Sequence, residues 1–247
     1  MNRTLPITRK KTIALFGAGT GLGASLATRF ASEGYRIVLV ARRPEPLHAR
    51  VAELAEAGIE AAAFPADLND VASIPALVRS IEAHFGSIDV AVYAPVPSDI
   101  TFVPAAELDA ATLRTLTDLY TYAPIEVAHS VLQGQLARGD GAIVVVAGLS
   151  ALLPMAGMSG VGPAMAAARN YVHTLNLEVA SKGVYAGTVT IGALIKRSAG
   201  HEVATAQGNE WLLSYPVIDP DEIAEEIWSL VTHRDRVEAV LPALPAA

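Results

Sequence analysis

Cysteine is absent from the 247 residues. That excludes disulfides, thiolate nucleophiles and cysteine-ligated metal sites. Charge is scarce as well, at 17% of residues, and the balance is acidic, with a formal net charge of −7. Duplex nucleic-acid binding needs a basic surface, so nucleic acid is not expected as a partner. Disorder is excluded too, because hydrophobic residues make up 52% of the chain and an unfolded chain carries far fewer. One stretch has no charge at all: from Gly141 to Ala168 there is no Asp, Glu, Lys or Arg. It is long enough to cross a bilayer, but Pro154, Gly157, Gly160, Gly162 and Pro163 interrupt it. That punctuation marks a strand, a loop and a helix start, and no membrane association is expected. The amino terminus is basic up to Lys11 and apolar over Thr12–Phe16. That run is too short for a signal-peptide core, so a cytoplasmic location is expected.

Strand-like and helix-like segments alternate to the end of the chain. Thr12–Phe16, Arg36–Ala41, Ile59–Phe64, Asp89–Tyr93, Ala142–Ala147, Tyr185–Ile191 and Val237–Leu241 are short and mostly apolar, and the β-branched run of Arg36–Ala41 suits a strand buried on both faces. Helical spacing fills the gaps over Gly21–Glu33, Pro46–Glu56, Val71–Phe85, Ala110–Arg138, Pro163–Ser181 and Asp219–Thr232, with a bend expected at Pro124. Asp219 and Pro220 have the chemistry of an N-cap and a first helical residue. This order predicts a single α/β domain over 1–247, a doubly wound parallel seven-stranded sheet of the Rossmann type. A (β/α)8 barrel is the alternative, but it requires eight units.

Between the first strand and the first helix stands Phe16-Gly17-Ala18-Gly19-Thr20-Gly21-Leu22-Gly23. In that position glycines serve a tight turn, close approach of a pyrophosphate and packing of the helix on the sheet. Helix N-terminal N–H groups then face the phosphates. The second strand ends in Ala41-Arg42-Arg43, with no carboxylate before Glu45. A carboxylate there would suit the free ribose hydroxyl of NAD, whereas guanidinium groups suit the 2′-phosphate of NADP(H). The six histidines show no His-xxx-His or His-Glu-xx-His spacing, so no metal is expected.

These residues give the chain a resemblance to the short-chain dehydrogenase/reductase family over nearly its whole length. Gly17, Gly21 and Gly23 match the family's glycine motif, although Phe16 replaces the usual Thr before it. The resemblance implies an NADP(H)-binding oxidoreductase, with Gly19, Thr20 and Leu22 also in the phosphate turn and Asp67-Leu68 beside adenine. It also places Ala94 after the fourth strand, and Gly192 and Leu194 beside the nicotinamide. Tyr93-Ala94-Pro95-Val96 stands where the family has Asn-Asn-Ala-Gly. The family's active-site Asn aligns with Tyr120, its catalytic Ser with Gly148, its catalytic Tyr with Val161 and its Lys with Met165. Independently of alignment, none of the seven tyrosines has a lysine four residues after it.

Reducing a carbonyl leaves an alkoxide that needs a proton donor tuned toward neutrality. Val161, Met165 and Gly148 offer no such group. Tyr120 and Ser150 are the substitute donors the sequence offers, each with an ordinary structural role as the alternative. A substrate that needs no proton, such as an iminium ion, would avoid the requirement. The competing expectation is a catalytically inactive relative that binds NADP(H) for sensing, scaffolding or stability. A cyclase or dehydratase using the same cleft has no positive support. The connection 195–217 has the length of a substrate lid, and the substrate itself is left unknown. By resemblance, the helices over 110–138 and after Pro163 would form the interface of a homodimer or homotetramer.

Overall fold

The computed structural model describes residues 9–96 and 102–244; the two ends of the expected domain lie outside that description. The strands are β1 (Thr12–Phe16), β2 (Arg36–Ala41), β3 (Ala61–Pro65), β4 (Val90–Tyr93), β5 (Gly141–Gly148), β6 (Val184–Ile191), the two-residue β7 (Leu194–Ile195) and β8 (Val217–Ile218), and β9 (Glu238–Leu241). The helices are α1 (Leu22–Ala31), α2 (Pro44–Glu56), α3 (Ile74–Phe85), α4 (Ala110–Thr117), α5 (Ala123–Arg138), α6 (Val161–Val179), α7 (Ala199–Ala206), α8 (Glu210–Leu213) and α9 (Pro220–His233). Seven strands form one sheet in the order β3-β2-β1-β4-β5-β6-β9, and every pairing within it is parallel.

Alternation along each strand divides the core in two. Ile13 and Leu15 of β1 pack with Leu26 and Phe30 of α1, Leu47 of α2 and Ile227 of α9. Ala14 and Phe16 pack on the other face with Val78 and Ile81 of α3, Val127 of α5 and Val172 of α6. Helices therefore cover both faces, as a buried parallel sheet requires. The α9 start is as expected: the Asp219 carboxylate accepts the Asp221 N–H, and Pro220 follows it. No helix among the described residues is long and apolar enough to cross a membrane.

Two regions carry more structure than the sequence showed. The region 110–138 is helical throughout, as expected, and the fault near Pro124 takes the form of a π-helical turn over Asp118–Tyr122 between α4 and α5. Proline has no N–H, and its ring crowds the carbonyl four residues back, here Tyr120. The ladder widens in response, and the Ala123 N–H reaches the Asp118 carbonyl. The Leu119 carbonyl would then look to residue 124 for its donor and finds proline. The Tyr93 hydroxyl supplies the missing bond, donating to Leu119 O at 2.5 Å. The long connection 195–217 also has elements of its own. It carries α7 and α8 and is framed by β7 and β8, which pair in parallel as a small second sheet.

Candidate functional site

The chain runs outward from β1 to β3 and then restarts at β4 on the other side of β1. This reversal leaves a crevice at the carboxyl ends of β1 and β4, the usual ligand position in such sheets. Gly17 sits in it with φ +95°, a conformation that L side chains avoid. A Cβ on Gly17 would also overlap the backbone nitrogen of Pro95 after β4. The turn is fixed from both sides. Gly17 and Ala18 donate to the Val40 carbonyl at 2.9 Å each, and Ala94 donates to the Phe16 carbonyl at 2.8 Å.

Gly19 and Thr20 are exposed beyond the turn. Nothing lies within 4 Å of the place a Gly19 Cβ would take. Leu22 points into the core at 7% exposure, so only its backbone N–H can face a ligand. A Cβ on Gly23 would lie 2.9 Å from the Ala18 backbone, two residues beyond the end of β1. The space beside Gly21 is taken by Ser198 and Lys196, with the would-be Cβ 3.0 Å from Ser198 Cβ and 3.2 Å from Lys196 O.

Arg42 and Arg43 leave the end of β2 side by side, both exposed. Arg43 is the residue before α2, in extended conformation, with Pro44 starting the helix. Among the described residues neither guanidinium has an ion pair or side-chain hydrogen bond, whereas Arg29 and Arg50 are bound to glutamates. Asp67 is exposed after β3, and its Oδ1 accepts from the Asn69 backbone and side-chain nitrogens at 3.0 Å each. Leu68 is buried at 4% exposure and can offer only its backbone to a ligand.

The other half of the crevice lies at the ends of β5 and β6, where Gly148 pairs with Ile191. The Gly148 N–H donates to the Met165 thioether at 3.4 Å, so the first turns of α6 close onto β5 through sulfur. Val161 is buried at 2% exposure. Ser150 lies in the short 3-10 turn after β5, its Oγ 4.0 Å from where a Gly148 Cβ would stand. Tyr120, at 7% exposure, belongs to the same apolar cluster as Val161 and Ala164. Thr121 ties the π turn to α6 by donating to the Ala164 carbonyl at 2.7 Å. Gly192 donates to Leu241 O at 2.7 Å and lies against Leu149, whose Cδ2 would be 3.0 Å from a Cβ there. Leu194, half-buried in β7, donates to the Pro216 carbonyl at 2.8 Å. The structure thus gathers Gly148, Ser150, Val161 and Met165 at one end of the sheet. Tyr120 packs in the core beside them.

Sequence reading missed three features. The Tyr93 phenol is only 3% exposed, and burial pushes it well above its ordinary pKa; its proton is committed to Leu119. A polar network lies under α6. Arg169 chelates Glu238 of β9, Thr190 donates to Glu238 at 2.9 Å, and His173 meets Thr188 at 2.9 Å. Burial alone would raise the Glu238 carboxyl, but Arg169 and Thr190 outweigh it and hold it below the ordinary value. Burial, with Arg169 nearby, lowers His173. The third feature is Arg197, with φ +60°, paired with Asp219 and Asp221. Spacing gave no signal for any of the three, because each joins residues distant in sequence. Among the described residues no group of three or more His, Cys, Asp or Glu could hold a metal ion.

A family model described as short chain dehydrogenase matches residues 11–204. The chain is 28% identical over 243 residues to a fatty acyl-CoA reductase of Mycobacterium tuberculosis, covering 92% of this chain and 80% of that one. It is 31% identical over 186 residues to 2,3-dihydro-2,3-dihydroxybenzoate dehydrogenase of Bacillus subtilis, covering 74% and 69%. Among solved structures, L-sorbose reductase from Gluconobacter frateurii, complexed with NADPH and L-sorbose, matches with a TM-score of 0.81 at 23% identity, covering 95% of this chain and 98% of that chain. At that identity the likeness is one of fold.

Proposed function

The chain belongs to the short-chain dehydrogenase/reductase family, and on that premise we propose that it is an NADP(H)-binding oxidoreductase whose proton handling departs from the family's usual arrangement. The observation that carries the cofactor reading is the pair Arg42 and Arg43 at the end of β2, exposed and, among the described residues, without an ion pair or side-chain hydrogen bond. Guanidinium groups at that place match a 2′-phosphate bidentately. The first-turn N–H groups of α1 have no partner within the helix, and with Thr20 they are placed for the pyrophosphate. The Asp67 carboxylate and the Leu68 backbone would border the adenine, Ala94 the ribose, and Gly192 and Leu194 the nicotinamide. When bound, the nicotinamide supplies or accepts a hydride.

At the positions where the resemblance puts the family's Ser, Tyr and Lys stand Gly148, Val161 and Met165. Val161 is buried, and Met165 accepts the Gly148 N–H through sulfur. None of the three can give a proton to an alkoxide. General acid catalysis is worth ~10²–10⁴ in rate, so ketone reduction is expected to be slower by about that factor than with a tuned donor. Ser150 is the substitute donor the geometry favours, since its hydroxyl lies 4.0 Å from the would-be Gly148 Cβ. Tyr120 is less suited because it is buried in the core cluster. Substrates that bring their own charge, such as iminium ions, need neither residue. The two curated relatives named above act on different compounds by name, so they carry the reaction class and not the substrate.

The same three positions support a second reading, a relative that binds NADP(H) without turning it over. NADPH oxidation with matched panels of ketones and cyclic iminium ions separates the two. Iminium reduction at least tenfold faster than ketone reduction, with Ser150→Ala lowering only the ketone rate, supports the enzyme. A flat panel with intact NADPH binding supports the second reading. We also propose self-association through α5 with the π turn before it, where Tyr122 is 53% exposed, and through α6, where Leu177 is 84% exposed. Light scattering showing a monomer contradicts it.

A further inference from the structure

On the reading that residues 17–23 hold a dinucleotide, we propose that Ile195–Ser198 is a latch that closes this site on itself and is held shut by Arg197. A pyrophosphate must approach Gly21 and the first turn of α1 closely. In this structure the chain itself takes that approach: a Cβ on Gly21 would lie 3.0 Å from Ser198 Cβ and 3.2 Å from Lys196 O. Space for phosphate oxygens is missing there. The nearer polar atom is a carbonyl oxygen, whose negative end repels an anion.

The segment is fastened at two points. Leu194 and Lys196 donate to the Pro216 and Ile218 carbonyls at 2.8 and 2.9 Å, which seats β7 on β8. Arg197 then turns the chain through φ +60° and sends its guanidinium to the start of α9. Its Nη2 lies 2.9 Å from both Asp219 Oδ1 and Asp221 Oδ2, and 3.5 Å from Ser25 Oγ on α1. Immediately afterwards the Ser198 hydroxyl accepts the His201 N–H at 3.1 Å and starts α7. The latch thus joins the glycine turn and α7 through Ser198, and α9 and α1 through Arg197. It is also built to release. Arg197 and Asp221 are 53% and 70% exposed, and ion pairs at such exposure are weak. A bulky residue at positive φ is strained, which opposes closure.

A closed state that excludes the ligand lowers apparent affinity by the fraction of open molecules. Loosening the latch should therefore tighten binding. NADPH and adenosine 2′-monophosphate are titrated calorimetrically, and NADPH association is timed, in wild type, Arg197→Ala and Asp221→Asn. The nucleoside monophosphate carries the 2′-phosphate but no pyrophosphate, so the latch does not obstruct it. Both variants should bind NADPH about two- to fivefold more tightly, associate faster, and leave adenosine 2′-monophosphate affinity unchanged. NADPH affinity and association rate that are unchanged or reduced in both variants, with adenosine 2′-monophosphate still binding, overturn the latch alone. A parallel rise for both ligands overturns it too, because that is a general charge effect. If neither ligand binds any of the three proteins, the dinucleotide reading itself fails, and the latch fails with it.

Discussion

Replacing Tyr93 by Phe isolates one hydrogen bond on which the wall of the crevice depends. The ring of Tyr93 is 3% exposed at the end of β4, and its hydroxyl donates to Leu119 O at 2.5 Å. Phe fills the same space, so packing is retained and the change is confined to the oxygen. What remains is a buried carbonyl whose helical donor has been removed by Pro124. Leaving such a group unsatisfied costs about 1–3 kcal/mol. In a chain of this size each kcal/mol moves Tm by about 2–4 °C, so a fall of about 2–12 °C is expected. Urea denaturation at neutral pH gives the free energy, and a thermal scan gives Tm. Tyr185→Phe is the control, because that hydroxyl also donates to a carbonyl, Arg236 O at 2.9 Å, but far from the π turn. The Tyr93 variant should in addition bind cofactor more weakly, since the π turn and the Tyr93–Val96 segment border the site, while the Tyr185 variant should not. A loss below about 0.3 kcal/mol in Tyr93→Phe would refute the claim that Pro124 leaves the Leu119 carbonyl dependent on this tyrosine.

Two further outcomes are expected. Asp89 is 4% exposed and paired with Arg9 at 2.6 Å. Burial alone would raise its carboxyl, but Arg9 and the Thr12 N–H outweigh burial and hold it below the ordinary value. A depressed carboxyl adds stability above its unfolded-state pKa and loses it as pH falls through the folded value. Asp89→Asn should therefore be less stable than wild type at neutral pH, with the gap closing in acid below about pH 4; a gap independent of pH contradicts this. Gly148→Ser should fold normally, because the new Cβ would meet only Met165 Cε at 3.4 Å and Ser150 Oγ at 4.0 Å. Combined with Val161→Tyr and Met165→Lys, it should raise ketone reduction by ~10²-fold or more, read as NADPH oxidation in a variant shown to be folded by circular dichroism. No gain in the folded triple variant would contradict the assignment of these three positions.

The sheet was legible because its strands are compact. Runs such as Ile37-Val38-Leu39-Val40 and Ile143-Val144-Val145 are buried on both faces, and composition alone marks them. Helix ends were legible where one residue does the chemistry, as Asp219 does at α9. The π turn was not, because Pro124 announces a fault but its position depends on which carbonyls find donors, and that donor is Tyr93, far away in sequence. The elements within 195–217 were missed because two-residue strands and four-residue helices have no period to read. At the site, the glycine turn and the two arginines were plain. The partner of Gly21 was not, because Ser198 reaches it only through the fold.

The most direct test of the account is the affinity of the purified protein for NADPH against NADH, with Arg42→Ala/Arg43→Ala beside the wild type. Hydrogen bonds to a charged group are worth about 1.5–3 kcal/mol, which is about 10- to 150-fold in Kd. NADPH should bind tighter than NADH by that factor, and the double variant should lose the preference while keeping its affinity for NADH. Equal affinity for the two cofactors in the wild type, or binding of neither, would contradict the account.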